Sequence, residues 1–482
     1  MTDLNASFVR ETMIPASAPP VSETGAVKWV RENLASSPLN IVLTALGLLT
    51  VYYFVKLSLP WLLNGVWTAS SLSECRAIIA ASAGPDAGGA CWAMINERWH
   101  QFIFGFYPRA LWWRPIVCFA MLFVALAPVL FADSGRKAAY LVGTVGLLML
   151  AALVATDANL IRVLVLAVLA AGLTFTAYLR PSRLLWVSIL FPFVSIFMLW
   201  GGSFWAPVAA LMGFGILVLF YRGLSPVIGV TMATATGFIA ACLWWILAVS
   251  PLTGTLQAAL PIAIEHVDSD QFGGFLLAFV IGVSSIAVSL PIGILLALGR
   301  QSDMFLIRTL SVGFIEFVRG VPLITMLFTA SLLLQYFLPP QTNFDLILRV
   351  VILVTMFSAA YNAEVVRGGL ASLARGQYEA ADSLGLDYWQ SQRLIIMPQA
   401  LKVAIPGIVS NFIGLFKDTT LVSFVGLMDP LRGITTVVRA DTAWKGIYWE
   451  PYIFVGAIFF FACFGMSRYS MYLENKLTTD HR

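Results

Sequence analysis

Long apolar segments separated by short polar connections fill most of this chain. Each segment is long enough to cross about 30 Å of hydrocarbon as an α-helix. Two of them, 309–338 and 403–428, contain charged residues. The other ten are almost wholly apolar and lie at 39–59, 116–132, 138–155, 160–179, 184–200, 205–221, 227–249, 272–298, 346–363 and 452–467. The pattern predicts an all-α polytopic membrane protein with about twelve transmembrane helices and both chain ends on one side.

The composition agrees with this prediction. Of 482 residues, 59% are hydrophobic and 11% are charged, whereas soluble domains are about 45–50% apolar and about 25% charged. The net charge of +4 is explained by basic residues that flank the membrane. No basic patch interleaved with aromatic residues indicates nucleic-acid binding. We therefore expect a protein in contact with membrane lipid and not with nucleic acid.

The positions of lysine and arginine predict the orientation, because basic residues in short loops stay in the cytoplasm. With a cytoplasmic amino terminus, most basic residues of the connections fall on the inner side, whereas the outward connections 200–205 and 250–271 contain none. Two outward loops weaken this pattern, although the longer can translocate regardless of its charge. Their basic residues are Arg432, Arg439 and Lys445 in the last outward loop and Arg76, Arg98, Arg109 and Arg114 in the 57–115 loop. The asymmetry predicts that both termini and residues 376–398 are cytoplasmic.

Charged residues inside the spans divide the chain into two unequal parts. The seven predicted spans between 39 and 249 have no charge at their centres, whereas the later spans contain several. Ionisable groups within hydrocarbon are costly and usually functional, so we expect the chemistry beyond about residue 272. The predicted segments are a cytoplasmic tail at 1–38, an extension of about seven helices at 39–250 with a periplasmic loop at 57–115, a periplasmic linker at 251–271, a functional core at 272–475 and a cytoplasmic tail at 476–482.

Two of the five cysteines, Cys75 and Cys91, share the predicted outward loop at 57–115. An oxidising exterior permits a disulfide between them, and two free thiols are the alternative. The other three cysteines lie within spans, where a small apolar side chain is the expected role.

The sequence offers no catalytic or metal site. His100, His266 and His481 are scattered, and no cluster of histidine, cysteine and carboxylate residues has the spacing of metal ligands. A phosphate-binding Gly-x-x-x-x-Gly-Lys-Ser/Thr loop is also absent. We therefore expect a protein that is not an enzyme and that holds no cofactor itself.

The polar segment 376–398 stands between two long apolar spans. Residues 376–384 favour a short helix with Ala380, Ala381 and Leu384 on one face, and Gly385 then permits a turn. This segment resembles the loop by which permease subunits of ATP-binding-cassette (ABC) importers dock onto their ATPase. The residues in register with that family pattern are Glu379, Ala380, Ala381, Gly385, Ile395 and Pro398.

Three further segments carry the same resemblance, at 314–324, 360–369 and 416–423. Together they are similar to the polar amino acid (histidine/glutamine) permease family, and the layout of the extension is most like the longer permease subunit of the general L-amino-acid importer. The resemblance implies that the last five helices form a type I ABC importer permease core. It also implies a bacterial inner-membrane location, ATP bound by two partner ATPase subunits, a second permease subunit in a heterodimer and a periplasmic amino-acid-binding protein.

Amino acids are zwitterions, so a path through the membrane should offer them a cation and an acceptor. The candidate residues for this substrate path are Glu316, Arg319, Glu364, Lys417, Asp418, Thr419 and Thr420. The alternative is that these charges form structural ion pairs, and Glu316 and Arg319 are spaced to pair on one helix face. Another functional alternative is an ion-coupled secondary transporter of the major facilitator type, since Asp133 to Lys137 resembles a loop of that family.

Overall fold

The structure is a computed structural model that describes residues 25–155, 159–337 and 345–478. These residues are mostly helical, and one antiparallel pair of two-residue strands joins β1 (Gly202–Ser203) to β2 (Ala263–Ile264). In chain order the helices are α1 Gly25–Asn33, α2 Pro38–Leu63, α3 Leu72–Ala83, α4 Ala93–Phe104, α5 Trp113–Leu130, α6 Gly135–Ala155, α7 Leu160–Leu179, α8 Leu185–Trp200, α9 Trp205–Ile228, α10 Val230–Leu243, α11 Val249–Ala259, α12 Gly274–Gln301, α13 Phe305–Gly320, α14 Leu323–Phe337, α15 Leu346–Ala371, α16 Arg375–Ser383, α17 Tyr388–Ser391, α18 Met397–Asp418, α19 Pro430–Ala440 and α20 Trp449–Thr478.

Membrane-crossing segments account for most of these helices. Within the described residues, 11 helical segments are long and apolar enough to cross a membrane, and there are up to 12 if the bent pair α13 and α14 counts as one crossing. These segments confirm the prediction of an all-α polytopic membrane protein. The spans are helical because a helix satisfies its own backbone hydrogen bonds, for which lipid offers no partners.

The predicted span at 309–338 is broken rather than continuous. Helices α13 and α14 meet at an angle of 100°. Pro322 lacks an N–H for the helical ladder, and its ring pushes the preceding residue toward extended backbone. Val321 accordingly has φ −105° and ψ 129°. The chain therefore turns sharply where the apolar pattern alone predicted one crossing.

Three predicted boundaries also differ from the structure. Helix α2 continues to Leu63, so the loop that follows starts later than residue 57, and α1 lies within the predicted polar tail. Helix α11 occupies part of the predicted linker at 251–271. Pro251 does not end it, because a π-helical turn at Trp244–Ala248 has already interrupted the regular hydrogen-bond ladder.

The chain divides into two compact units, and the smaller comprises the residues up to Asn96 together with Ala443–Glu450. In this unit Cys75 and Cys91 form a disulfide with Cα atoms 6.1 Å apart. The Cys91 N–H donates to the buried Glu450 carboxylate at 2.8 Å, and the Leu72 N–H donates to the Ala443 carbonyl at 2.9 Å. The disulfide loop is therefore tied to Ala443–Glu450, a segment that ends in the first turn of α20.

The larger unit contains residues 97–442 and 451–482. Its centre is α12 packed against α15, and α18 packs against both of them. Small residues permit this approach, since an ideal Cβ on Gly293 lies 2.8 Å from the Asn362 Cβ, and one on Gly369 lies 3.2 Å from the Ala404 Cβ. Such close contact is typical of helices packed within membranes.

The loop after α5 contacts the carboxyl-terminal end of α20 within this unit. The Asp133 carboxylate lies 2.6 Å from the Lys476 ammonium, and the Lys137 ammonium lies 2.7 Å from the Tyr472 hydroxyl. The Tyr469 hydroxyl donates to the Leu130 carbonyl at 2.6 Å. The Asp133 to Lys137 motif thus has a packing role in this fold.

Candidate functional site

The 376–398 loop begins with helix α16, close to the predicted 376–384. The Leu384 N–H donates to the Ala380 carbonyl at 3.1 Å, and the Gly385 N–H donates to the Asp382 carbonyl at 2.9 Å. Gly385 has φ 70°, a left-handed conformation that glycine adopts without strain. The helix therefore ends in a sharp turn at the glycine that the sequence pattern singled out.

A second, one-turn helix follows at once. Asp387 and Gln390 form a reciprocal cap, in which the Asp387 carboxylate accepts from the Gln390 N–H at 2.8 Å and the Gln390 side chain accepts from the Asp387 N–H at 3.2 Å. A π-helical turn over Gln392–Ile396 then leads directly into α18, and Pro398 lies in the first turn of that helix. The loop is thus continuous in helical structure with a membrane span.

The two sides of this loop differ in burial. Ala381 and Ile396 are fully buried, and the Gln399 amide donates to the Gln377 side chain at 2.9 Å. Glu379 and Ala380 are exposed instead, so Ala381 does not share a face with Ala380 as the sequence predicted. Adjacent residues lie about 100° apart around a helix, which turns Ala381 inward while Ala380 faces solvent.

Three large apolar side chains are exposed around Gly385. Leu384 is 72% exposed, Tyr388 53% and Trp389 63%, and the two aromatic rings meet edge to face at 5.3 Å. We call Leu384, Tyr388 and Trp389 the loop patch. An exposed apolar group in an otherwise polar loop is typical of a binding surface.

A cleft of about 230 Å³ with a mixed polar and apolar lining opens between α15 and α18. It has room for several water molecules. Its lining residues are Phe357, Ser358, Tyr361, Ser410, Asn411, Gly414, Leu415 and Asp418. Asp418 thus brings one carboxylate to a cleft whose other polar groups are hydroxyls and an amide.

Buried amides and hydroxyls continue from this cleft into the packed helices. Asn411 donates to the Asn362 side-chain oxygen at 3.3 Å, and Asn362 donates to the Ser289 hydroxyl at 3.2 Å. The Ser358 hydroxyl donates to the Ser289 hydroxyl at 3.0 Å. Ser289 and Asn362 lie near the middle of α12 and α15, so the network lies deep in the bundle and fixes how three helices meet.

A cluster of ion pairs lies nearer the carboxyl-terminal ends of α12 and α15. The Glu364 carboxylate is 2.6 Å from Arg300, 3.1 Å from Arg367 and 3.7 Å from Arg319. Arg300 also contacts Glu316 at 2.9 Å. The predicted pairing of Glu316 with Arg319 is not the one observed, because Arg300, from another helix, lies closer to Glu316.

The structure therefore separates the predicted substrate-path residues. Glu316, Arg319 and Glu364 meet in the ion-pair cluster, and Asp418 alone of the set lines the cleft. Lys417 is exposed, and neither Lys417 nor Asp418 forms an ion pair with any described residue.

Thr419 and Thr420 lie where α18 passes into a 3₁₀ helix. Their hydroxyls donate to the carbonyls of Phe416 at 2.7 Å and Lys417 at 2.9 Å. Both hydroxyl protons are therefore used within the helix end, although the oxygens can still accept hydrogen bonds.

Sequence reasoning did not single out Arg300, Ser358, Tyr361 or Asn411 as site residues. A signal existed for the polar ones, because Ser358 and Asn411 interrupt apolar spans and such residues usually face other helices or water. Tyr361 belongs to the matched segment 360–369. For metals, the described residues contain no group of three or more potential ligands.

Comparison with known proteins gives matches over the whole chain. Residues 289–478 match the family described as "Binding-protein-dependent transport system inner membrane component". The chain is 60% identical over 478 residues to the glutamate/glutamine/aspartate/asparagine transport system permease protein BztC of Rhodobacter capsulatus, covering 99% of this chain and 100% of that protein. It is 33% identical over 455 residues to the inner membrane amino-acid ABC transporter permease protein YhdY of Escherichia coli, covering 94% of both. The glutamate/aspartate import permease protein GltK of Escherichia coli is 31% identical over 209 residues, which are 42% of this chain and 91% of that protein.

Proposed function

Because this chain belongs to the family of amino-acid ABC transporter permeases, we propose that it forms half of an importer's translocation path and that its 376–398 loop receives the motion of the ATPase. Members of this family are transport proteins and not enzymes, and the ATP is bound by a partner ATPase. A substrate-binding protein is the other partner that the family implies. Family membership leaves the ion-coupled alternative without support.

The observation that carries the coupling role is the exposed loop patch next to a helix that continues into the membrane. An apolar patch on a short helix fits a groove of a partner protein, and the exposed Glu379 carboxylate beside it suits basic groups there. Helix α18 follows the loop without a break and carries Asn411 and Asp418 of the cleft. Movement of the docked loop would therefore move one wall of the cleft.

We further propose that the Asp418 carboxylate binds the ammonium group of the substrate in the cleft by accepting its hydrogen bonds. Ser358, Tyr361 and Asn411 supply hydrogen-bonding groups around it. The ion-pair cluster has a structural role in this proposal, because Glu316, Arg319 and Glu364 already have partners.

The exposure of Lys417 supports a second permease subunit. A charged group at the end of a membrane helix requires water or a protein partner. A hydrated path between two permease subunits would provide that water. We propose a heterodimer of permeases with two ATPases. In the same proposal both termini and the 376–398 loop are cytoplasmic, and Asp418 and Lys417 face the path.

The domain boundaries and the substrates are also proposed. A match in which 42% of this chain covers 91% of the GltK permease supports a permease core of about two-fifths of the chain, at 272–475, preceded by the extension at 39–250. The name of the Rhodobacter capsulatus relative supports glutamate, glutamine, aspartate and asparagine as substrates. A wider range of L-amino acids is the alternative.

The test is uptake into proteoliposomes that contain the full transporter with its binding protein. We expect uptake to require ATP and the binding protein and to survive collapse of the proton gradient. Excess aspartate or asparagine should compete with labelled glutamate, and competition by basic or branched amino acids as well would establish the wider range. Uptake driven by the proton gradient without ATP would contradict the proposal.

The docking surface is tested separately by a photo-cross-linking residue. Introduced at Trp389, it should capture the ATPase subunit. The matched control is the same residue at Phe461, which is similarly exposed in the middle of α20 and should capture none. Capture of the ATPase from Phe461 and not from Trp389 would contradict the assignment of the loop.

A further inference from the structure

Helix α1 carries its apolar and charged side chains on opposite sides. At about 100° per residue, Ala26, Val30 and Val27 fall on one side, with Trp29 at its edge. Lys28, Arg31 and Glu32 fall on the other. Val27, Trp29 and Val30 are each about half exposed, at 53%, 58% and 45%. The described part of the chain therefore leaves the apolar side of α1 largely uncovered.

The end of α1 is held beside the start of the first membrane span. The Thr44 hydroxyl, in the second turn of α2, donates to the Leu34 carbonyl at 2.9 Å. Ser37 caps α2 by accepting from the Asn40 N–H at 3.1 Å. The four residues 34–37 that join the helices span at most about 14 Å even when extended. Helix α1 is thus confined to the region where α2 enters the membrane.

We propose that α1 lies on the bilayer surface, with Val27, Trp29 and Val30 inserted among the lipids and with Lys28 and Arg31 at the lipid phosphates. Three observations support a lipid rather than a protein cover. Helix α1 is joined by only four residues to a membrane-spanning helix, tryptophan favours the boundary between headgroups and acyl chains, and both basic residues lie on the polar side, where anionic headgroups would meet them. In the proposed orientation this surface is the inner leaflet.

This arrangement gives α1 a function that a polar tail would lack. An anchored helix fixes the point at which the chain enters the membrane and resists rotation of α2, whose described side chains are all at least partly exposed. The Lys28 ammonium and the Glu32 carboxylate lie 3.7 Å apart, which is beyond hydrogen-bonding distance, so both Lys28 and Arg31 remain available for the headgroups. The inference does not depend on the proposed transport activity.

The test places a nitroxide label on each side of α1 in the full-length protein. Val30→Cys marks the apolar side and Glu32→Cys is its matched control on the polar side. Both are made with Cys118, Cys242 and Cys463 replaced by serine, so that only the disulfide cysteines remain. The protein is reconstituted in bilayers of equal parts phosphatidylcholine and phosphatidylglycerol, and the label's collisions with oxygen and with a water-soluble nickel chelate are measured.

We expect the Val30 label to collide more with oxygen, which concentrates in lipid, and the Glu32 label to collide more with the nickel chelate. Equal exposure of both labels to the nickel chelate would place α1 in water and overturn the proposal. Low collision of the Val30 label with both reagents would show a protein cover and overturn it as well. The contrast between the labels should decrease in pure phosphatidylcholine, and an unchanged contrast there would refute the contact with anionic headgroups.

Discussion

Gly385 ends α16 with a backbone φ of 70°, and an ideal Cβ placed on it meets no atom within 4 Å. The cost of replacing it with alanine is therefore confined to the backbone itself. A left-handed conformation costs an L-residue about 1–2 kcal/mol. That free energy lowers the population of the docking conformation of the loop about 5- to 30-fold, and the apparent affinity for the ATPase falls by the same factor.

Two matched variants separate this backbone effect from the effect of simply adding a side chain to α16. Gly376→Ala lies in the same helix at ordinary φ and also meets no atom within 4 Å, so it should bind the ATPase at least as well as the parent. Gly385→Asn should restore most of the affinity lost in Gly385→Ala, because asparagine tolerates the left-handed region better than alanine does.

The assay is titration of the reconstituted permease with the ATPase subunit, followed by ATP-driven uptake at saturating ATPase. We expect Gly385→Ala to bind more weakly but to transport normally once saturated. Equal affinity of Gly385→Ala and Gly376→Ala would refute the reasoning, and so would an asparagine variant as weak as the alanine one.

Three further predictions concern other parts of the molecule. Asp418→Asn should lower substrate uptake at least tenfold without changing binding of the ATPase, and both are measured beside the neighbouring variant Lys417→Met. Normal uptake by Asp418→Asn would remove Asp418 from the substrate path. Replacing Cys75 and Cys91 together by serine should destabilise the segment between α2 and α4, which the disulfide closes, by about 2–5 kcal/mol, seen as faster proteolysis of that segment. Unchanged proteolysis would contradict this. Burial raises the pKa of Asp429 from 3.8 to about 6, so the folded state holds its proton more tightly than the unfolded state. Stability should therefore fall by about 3 kcal/mol in all as the pH rises from below 3 to above 7, with about 2 kcal/mol of the loss between pH 4 and 6. Thermal unfolding of Asp429→Asn should lack this slope.

The number and approximate positions of the membrane spans followed from the sequence. A span needs about 20 apolar residues whatever it packs against, because the lipid sets the length and the helix satisfies its own backbone. Local chemistry likewise predicted α16 and its turn, since good helix formers followed by a glycine determine such a structure with little help from distant residues. Pro322 also predicted a local interruption of its helix. Whether it would kink one span or divide the span into two helices depended on the residues that pack around the break.

The partners of charged and polar residues were decided by the tertiary structure. Glu316 could have paired with Arg319 three residues away, but the packing of α12 against α13 and α15 brought Arg300 closer. Asp418 gained its cleft only because α15, from more than forty residues earlier in the chain, placed Ser358 and Tyr361 opposite it. A hydrophobic pattern records which residues avoid water, but it holds no information on which buried polar groups will meet, because those contacts depend on helix rotation and crossing that are fixed only when the whole bundle packs.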